Sequence, residues 1–213
     1  MEDSFAIKNL RTGDLILFDS LSGGLLYYFD KLIKYFTDSK FNHIGMVVKD
    51  PNFTDKQLKG LYLWESSWEG SPDPQDGKVK LGVQFTPLEE AIRNNNGTVY
   101  IRKLQCSESL YNAIFTEDNL RKVHEVVKDK PYDIVPDDWI NAISRKDTRP
   151  KKTDRFWCSA LVGYIYSKLN ILDQSIDWSV LRPSDFSIED KMEHINLLDG
   201  FSLSNYQIEY NCN

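Results

Sequence analysis

The apolar positions of this chain fall into short runs separated by polar turns, with a few longer segments of helical period. Leu15-Ile16-Leu17-Phe18 follows a turn at residues 10–14 and reads as a short buried strand, and Ile44-Gly45-Met46-Val47-Val48 reads the same way. Between them, after Gly23-Gly24, the positions Leu25, Leu26, Phe29, Leu32, Ile33 and Phe36 recur at steps of three and four, the mark of an amphipathic helix over 25–36. Residues 61–68 are rich in β-formers and are expected to pair antiparallel with the Ile44 strand. Residues 83–85 and 98–104 are further strand candidates, with a short helix at Leu88–Arg93 between them. Ser-Pro-Asp-Pro-Gln-Asp-Gly over 71–77 is the clearest loop.

The second half carries two helices of different character. Residues 116–128 have Thr116 as a cap, Glu117 and Asp118 in the positive first turn, and Leu120, Val123 and Val127 along one face. Residues 157–169 have almost no polar face, so that helix is expected to be buried. Residues 131–152 are irregular, and the charged stretch 145–152 is expected as an exposed loop. Arg182-Pro183-Ser184-Asp185 reads as a turn with a helix cap. The last dozen residues are mostly polar and suggest no element.

At 213 residues the chain suits one domain, with a core over about 10–187 and a polar C-terminal tail over 188–213. Its formal charge is −6, so no general attraction to nucleic acid or anionic lipid is expected. No apolar run approaches the roughly 20 residues that span a bilayer, and no transmembrane segment is expected. Met1-Glu2-Asp3-Ser4-Phe5 has no basic region followed by an apolar one, so it does not read as a secretory signal. Cys106, Cys158 and Cys212 are odd in number and widely spaced, which suits neither a disulfide framework nor a metal site. A reducing compartment, the cytoplasm in the simplest case, is the expected setting.

Candidate chemistry centres on Cys158. Asp154 is placed to cap the helix, which puts Cys158 in its first turn, where unpaired N–H groups and the helix dipole favour a thiolate. The alternative is a small buried hydrophobe. A nucleophilic Cys needs an imidazole base and a group to orient it. Of three His, His124 is flanked by Lys122 and Glu125 and His194 follows Glu193, both polar, solvated contexts. His43 instead opens a strand, and Gly45 follows it closely enough to admit another group. A register that sets Val47 opposite Leu61 also sets His43 opposite Glu65, with Cβ atoms about 5 Å apart on one face. A one-residue slip would send Glu65 to the other face. There is no HExxH, no Cys/His zinc spacing, no P-loop, no GxGxxG and no Gly-x-Ser-x-Gly, and no cofactor or metal is expected.

Six segments together carry a resemblance: Leu10-x-x-Gly13-Asp14-Leu15-Ile16-Leu17-Phe18, Asn42-His43-Ile44-Gly45-Met46-Val47, Glu65, Pro131-Tyr132-Asp133, Phe156-Trp157-Cys158-Ser159-Ala160-Leu161-Val162, and Arg182-Pro183-Ser184-Asp185-Phe186. In order and spacing they resemble the circularly permuted papain-like thiol hydrolases of the NlpC/P60 superfamily, in the YiiX-like and poxvirus-type branch. Lecithin:retinol acyltransferase is a more distant relative of that group. The resemblance implies an α+β, permuted papain-like fold, with an antiparallel sheet packed against helices that include the nucleophile helix. It implies His43 as general base, Glu65 as orienting group and Cys158 as nucleophile. Tyr132 and Ser159 would line the substrate or oxyanion site, with the backbone N–H of Cys158 as one oxyanion donor.

The leading expectation is a cysteine hydrolase that cleaves a peptide, isopeptide or ester bond through an acyl-enzyme. Two alternatives stay open. One is a lipid acyltransferase or phospholipase on the same triad, with the 25–36 segment lining an acyl channel. The other is a non-catalytic structural or virion-associated protein that keeps the fold. If the protein is viral, the virion or host cytoplasm is its place. Substrate and oligomeric state are not legible.

Overall fold

The computed structural model describes residues 7, 9–20, 39–134, 153–190 and 193–211. Among them the strands in chain order are β1 Leu15–Ser20, β2 His43–Lys49, β3 Leu61–Ser67, β4 Gly82–Pro87, β5 Gly97–Arg102, β6 Leu104–Gln105, β7 Ser202–Leu203 and β8 Ile208–Asn211. Six of these make one antiparallel sheet in the order β4-β3-β2-β1-β5-β8, while β6 and β7 pair separately. The α-helices among the described residues are α1 Leu88–Arg93, α2 Glu108–Ile114, α3 Glu117–Val127 and α4 Cys158–Lys168. The fold is α+β. None of the described helices is long and apolar enough to cross a membrane.

Both faces of the sheet are covered. Leu15, Leu17, Ile44, Met46, Trp64 and Phe85 share one core with the apolar sides of α3 and α4. Ile16, Phe18, Val47 and Leu63 share the other with Leu88, Ala91 and Ile92 of α1. Strands buried on two faces need no polar side, which is why β1 and β2 read as unbroken apolar runs. Helix α4 is buried from Cys158 through Ser167, as its lack of a polar face requires. Its Tyr166 hydroxyl donates to the Gly13 carbonyl at 2.5 Å, tying the helix to the turn before β1. In that turn the buried Asp14 accepts from the N–H groups of Arg11 at 2.9 Å and Leu104 at 3.0 Å, and pairs with Lys103 at 2.9 Å. Burial raises its pKa, although Lys103 and both N–H groups oppose the shift.

Helix α3 starts where its cap predicts: the Thr116 hydroxyl accepts from the Asn119 N–H at 3.2 Å. His124, expected in solvent, is instead only 4% exposed. Its flanking charges do point outward, but the rings of Phe53, Trp64 and Phe85 close over it, and Gln75 Oε1 lies 2.7 Å from its Nε2. Gln75 belongs to the predicted loop, which is anchored rather than loose. Lys80 reaches Asp73, Asp76 and Asp129 at 2.9, 3.0 and 2.8 Å.

The reading of 188–213 as a tail outside the core is corrected. Strand β8 pairs with β5 at the sheet edge, and β7 pairs with β6. Ile208 and Tyr210 alternate onto the α1 core, an alternation of two residues too short to stand out among polar neighbours. The helix expected over 25–36, the stretch 145–152 and Cys212 lie outside the described residues.

Candidate active site

His43 is the first residue of β2, and Phe18 of β1 pairs with it across the ladder, its ring 5.3 Å from the imidazole. The pairing of β2 with β3 differs from the register expected above. Val47 faces Leu63 rather than Leu61, and Met46 faces Trp64, an offset of two residues. A shift of two preserves the face, so Glu65 still lies on the His43 side. It becomes a diagonal neighbour, some 7–8 Å away in backbone terms. The glutamate side chain spans that gap, and His43 Nε2 lies 2.5 Å from Glu65 Oε2. The space beside Gly45 is taken not by a reacting group but by Leu63, whose Cγ would lie 2.5 Å from a Cβ at that position.

Glu65 is 1% exposed, and a carboxylate so placed needs donors. It has two. Thr86 of β4 donates its hydroxyl to Oε1, and the imidazole takes Oε2. Strand β4 sorts its side chains accordingly, with Val83 and Phe85 in the core beside α4 and Gln84 and Thr86 on the polar side with Glu65.

Cys158 reaches this place by a different route. Trp157, in extended backbone, is the N-cap of α4 and supplies no side-chain cap, so Asp154 does not cap the helix as expected. Cys158 is the first helical residue and is 2% exposed. The preceding Phe156 lies against Tyr132 in a parallel bridge, with Phe156 N–H donating to the Pro131 carbonyl at 3.1 Å and Asp133 N–H to the Phe156 carbonyl at 3.2 Å. Pro131 in turn bridges Gly82, where any Cβ would collide with the Lys130 carbonyl. Ser66, wholly buried, donates its hydroxyl to that same Phe156 carbonyl at 2.7 Å. Adjacent residues of β3 therefore serve the two halves of the site: Glu65 holds the imidazole and Ser66 holds the backbone that leads into Cys158.

The structure brings His43, Glu65 and Cys158 together. Burial works against a charged His43, but hydrogen bonds to the Cys158 thiol and the Glu65 carboxylate, and the charges of both, outweigh it. The pKa of His43 is raised well above its ordinary value. With Nε2 engaged by Glu65, Nδ1 is the ring nitrogen left for the thiol.

The other residues singled out from sequence are placed less directly. Tyr132 is half-buried, its backbone beside Phe156. Ser159 is buried and donates its hydroxyl to the Leu181 carbonyl at 2.7 Å, which makes the side chain a tether for α4. Asp185 accepts from the Arg182 N–H at 2.8 Å, as the predicted cap requires. Asp185, Asp190 and His194 place three ligand-type atoms within 4.8 Å of one another, but the His194 ring and backbone N–H are already bonded to Asp190. Sequence reasoning missed Thr86 and Ser66. The polar–apolar alternation of Val83-Gln84-Phe85-Thr86 was the one available signal, and it becomes readable only once β4 is paired with β3. No protein-family model matches this sequence, and no curated protein matches it.

Proposed function

We propose that the protein is a cysteine hydrolase of permuted papain-like architecture, acting on an amide or ester bond. The observation that carries the reading is the His43 imidazole held between a buried carboxylate and the thiol of a helix-initial cysteine. The chain order supports it too, because the strands bearing base and orienting group precede the nucleophile helix. In this reading His43 takes the thiol proton and Cys158 attacks the carbonyl carbon. The resulting oxyanion lies at the uncapped first turn of α4, where backbone N–H groups are on offer. His43 then protonates the leaving amine or alcohol, an acyl-enzyme remains, and water activated by the same imidazole releases the acid. Glu65 keeps the ring in one orientation and stabilises its charged form.

Iodoacetamide alkylation followed by mass spectrometry tests this. Cys106 is an internal reference, since burial raises its pKa and slows it near neutrality. At pH 6.5 Cys158 should be alkylated well ahead of Cys106 in the wild type, and the lead should vanish in His43→Ala. Equal rates at the two thiols in the wild type would overturn the proposal.

A further inference from the structure

Two residues beyond the end of β3, Glu69 is half-buried, and the chain around it is organised toward the catalytic group. Gln84 donates to the Ser67 hydroxyl at 3.0 Å, and Ser67 donates to Glu69 Oε1 at 2.8 Å. This bonded series runs alongside the Thr86–Glu65–His43 series, from the same two strands. Glu69 feels the charge of Glu65 first, then burial, with His43 and Ser67 opposing and Glu90 adding to the rise. Its pKa is pushed up to about 7. Among the described residues no Lys or Arg pairs with it. Glu69 itself keeps part of its surface in solvent, whereas Ser67 and Gln84 behind it are buried.

We infer that Glu69 forms a subsite for a positively charged group of the substrate, beside the bond that reacts at Cys158. A carboxylate fixed by a buried hydrogen-bonded series, close to a second carboxylate that already engages His43, is relieved by a ligand that brings a further positive charge. The inference rests on the hydrolase reading and adds the substrate class: amides or esters that carry a cationic group near the scissile bond, such as a lysine, arginine or ammonium substituent.

Three chloroacetamides test it without knowledge of the natural substrate. One carries a trimethylammonium group, one the isosteric neutral tert-butyl group and one a carboxylate. The readout is the ratio of Cys158 alkylation rates, by mass spectrometry at pH 8 and low salt, with Cys106 as the reference thiol. The cationic probe should exceed the neutral one by about tenfold, well within the attraction of two unit charges a few ångströms apart near a protein surface. The anionic probe should be slowest. Glu69→Gln, which keeps the Ser67 bond, should bring the cationic-to-neutral ratio close to that at Cys106, and Glu69→Asp should retain part of it. A wild type without charge preference, or a preference that survives Glu69→Gln, overturns the inference. Failure of the hydrolase reading looks different: Cys158 then reacts with the neutral probe no faster than Cys106. A charge ratio that still follows Glu69 would in that case leave the cation site standing.

Discussion

His43 and His124 are both largely withdrawn from solvent, and their pKa values move in opposite directions. His124 is packed among Phe53, Trp64 and Phe85 and meets the neutral amide of Gln75. Burial, then the positive charge of Lys128, pushes its pKa down to about 4. Gln75 gives its amide N–H to Asp73 at 2.6 Å, so its oxygen faces His124, and the neutral ring donates from Nε2. His43 suffers the same burial but meets a carboxylate and a thiol, and these reverse the outcome. A buried imidazole is thus held neutral or held charged according to its partner rather than its depth.

The sharpest way to break that contrast is to delete each ring in turn. His43→Ala should slow Cys158 alkylation at pH 6.5 by about 10²–10⁴-fold. His124→Ala should leave that rate unchanged while destabilising the protein in denaturant titrations. Equal effects on the thiol would erase the distinction.

The two rings should also link pH to stability with opposite signs. For His124, whose folded pKa lies below the unfolded value near 6.5, stability is full above pH 6.5 and is lost as pH falls toward 4. The loss amounts to about 3 kcal/mol at most. For His43, whose folded pKa is raised, the contribution is full below pH 6.5 and fades as pH rises through the folded value. Urea unfolding of wild type and His124→Gln between pH 7 and 4 should show a shallower acid-side decline in the variant.

Exchanging partners sharpens the comparison further. Gln75→Glu should raise the His124 pKa by about one to two units, and Glu65→Gln should lower that of His43 by a similar amount, both by NMR titration of the ring protons. The smallest expected effect is that of Ser66→Ala. Losing its bond to Phe156 should cost about 1 kcal/mol of stability. It should also slow Cys158 alkylation several-fold with no change in its pH dependence, because the His43–Glu65 pair is untouched.

Much of the frame was legible because each piece was local. The Thr116 cap, the buried helix behind Trp157 and the pairing of residues 61–68 with the Ile44 strand all follow from periodicity and side-chain chemistry. The meeting of His43 with Glu65 was foreseen from the right face but the wrong register. Alternation in a strand fixes parity, and two registers of equal parity cannot be told apart without the turn between the strands. His124 was misplaced because what buries it, Phe53 and the anchored 71–80 loop, lies far away in sequence. The terminal strand β8 escaped notice because its partner β5 precedes it by about a hundred residues, and nothing local announces the pairing.

The alternation along β3 also limits how this protein can vary. Glu65 and Ser66 serve opposite sides of one ribbon, so deleting or inserting a single residue within Leu61–Ser67 would exchange their duties and misplace both. No point substitution elsewhere restores such a swap. A one-residue length change should therefore be tolerated far better in the connecting segments than within this strand.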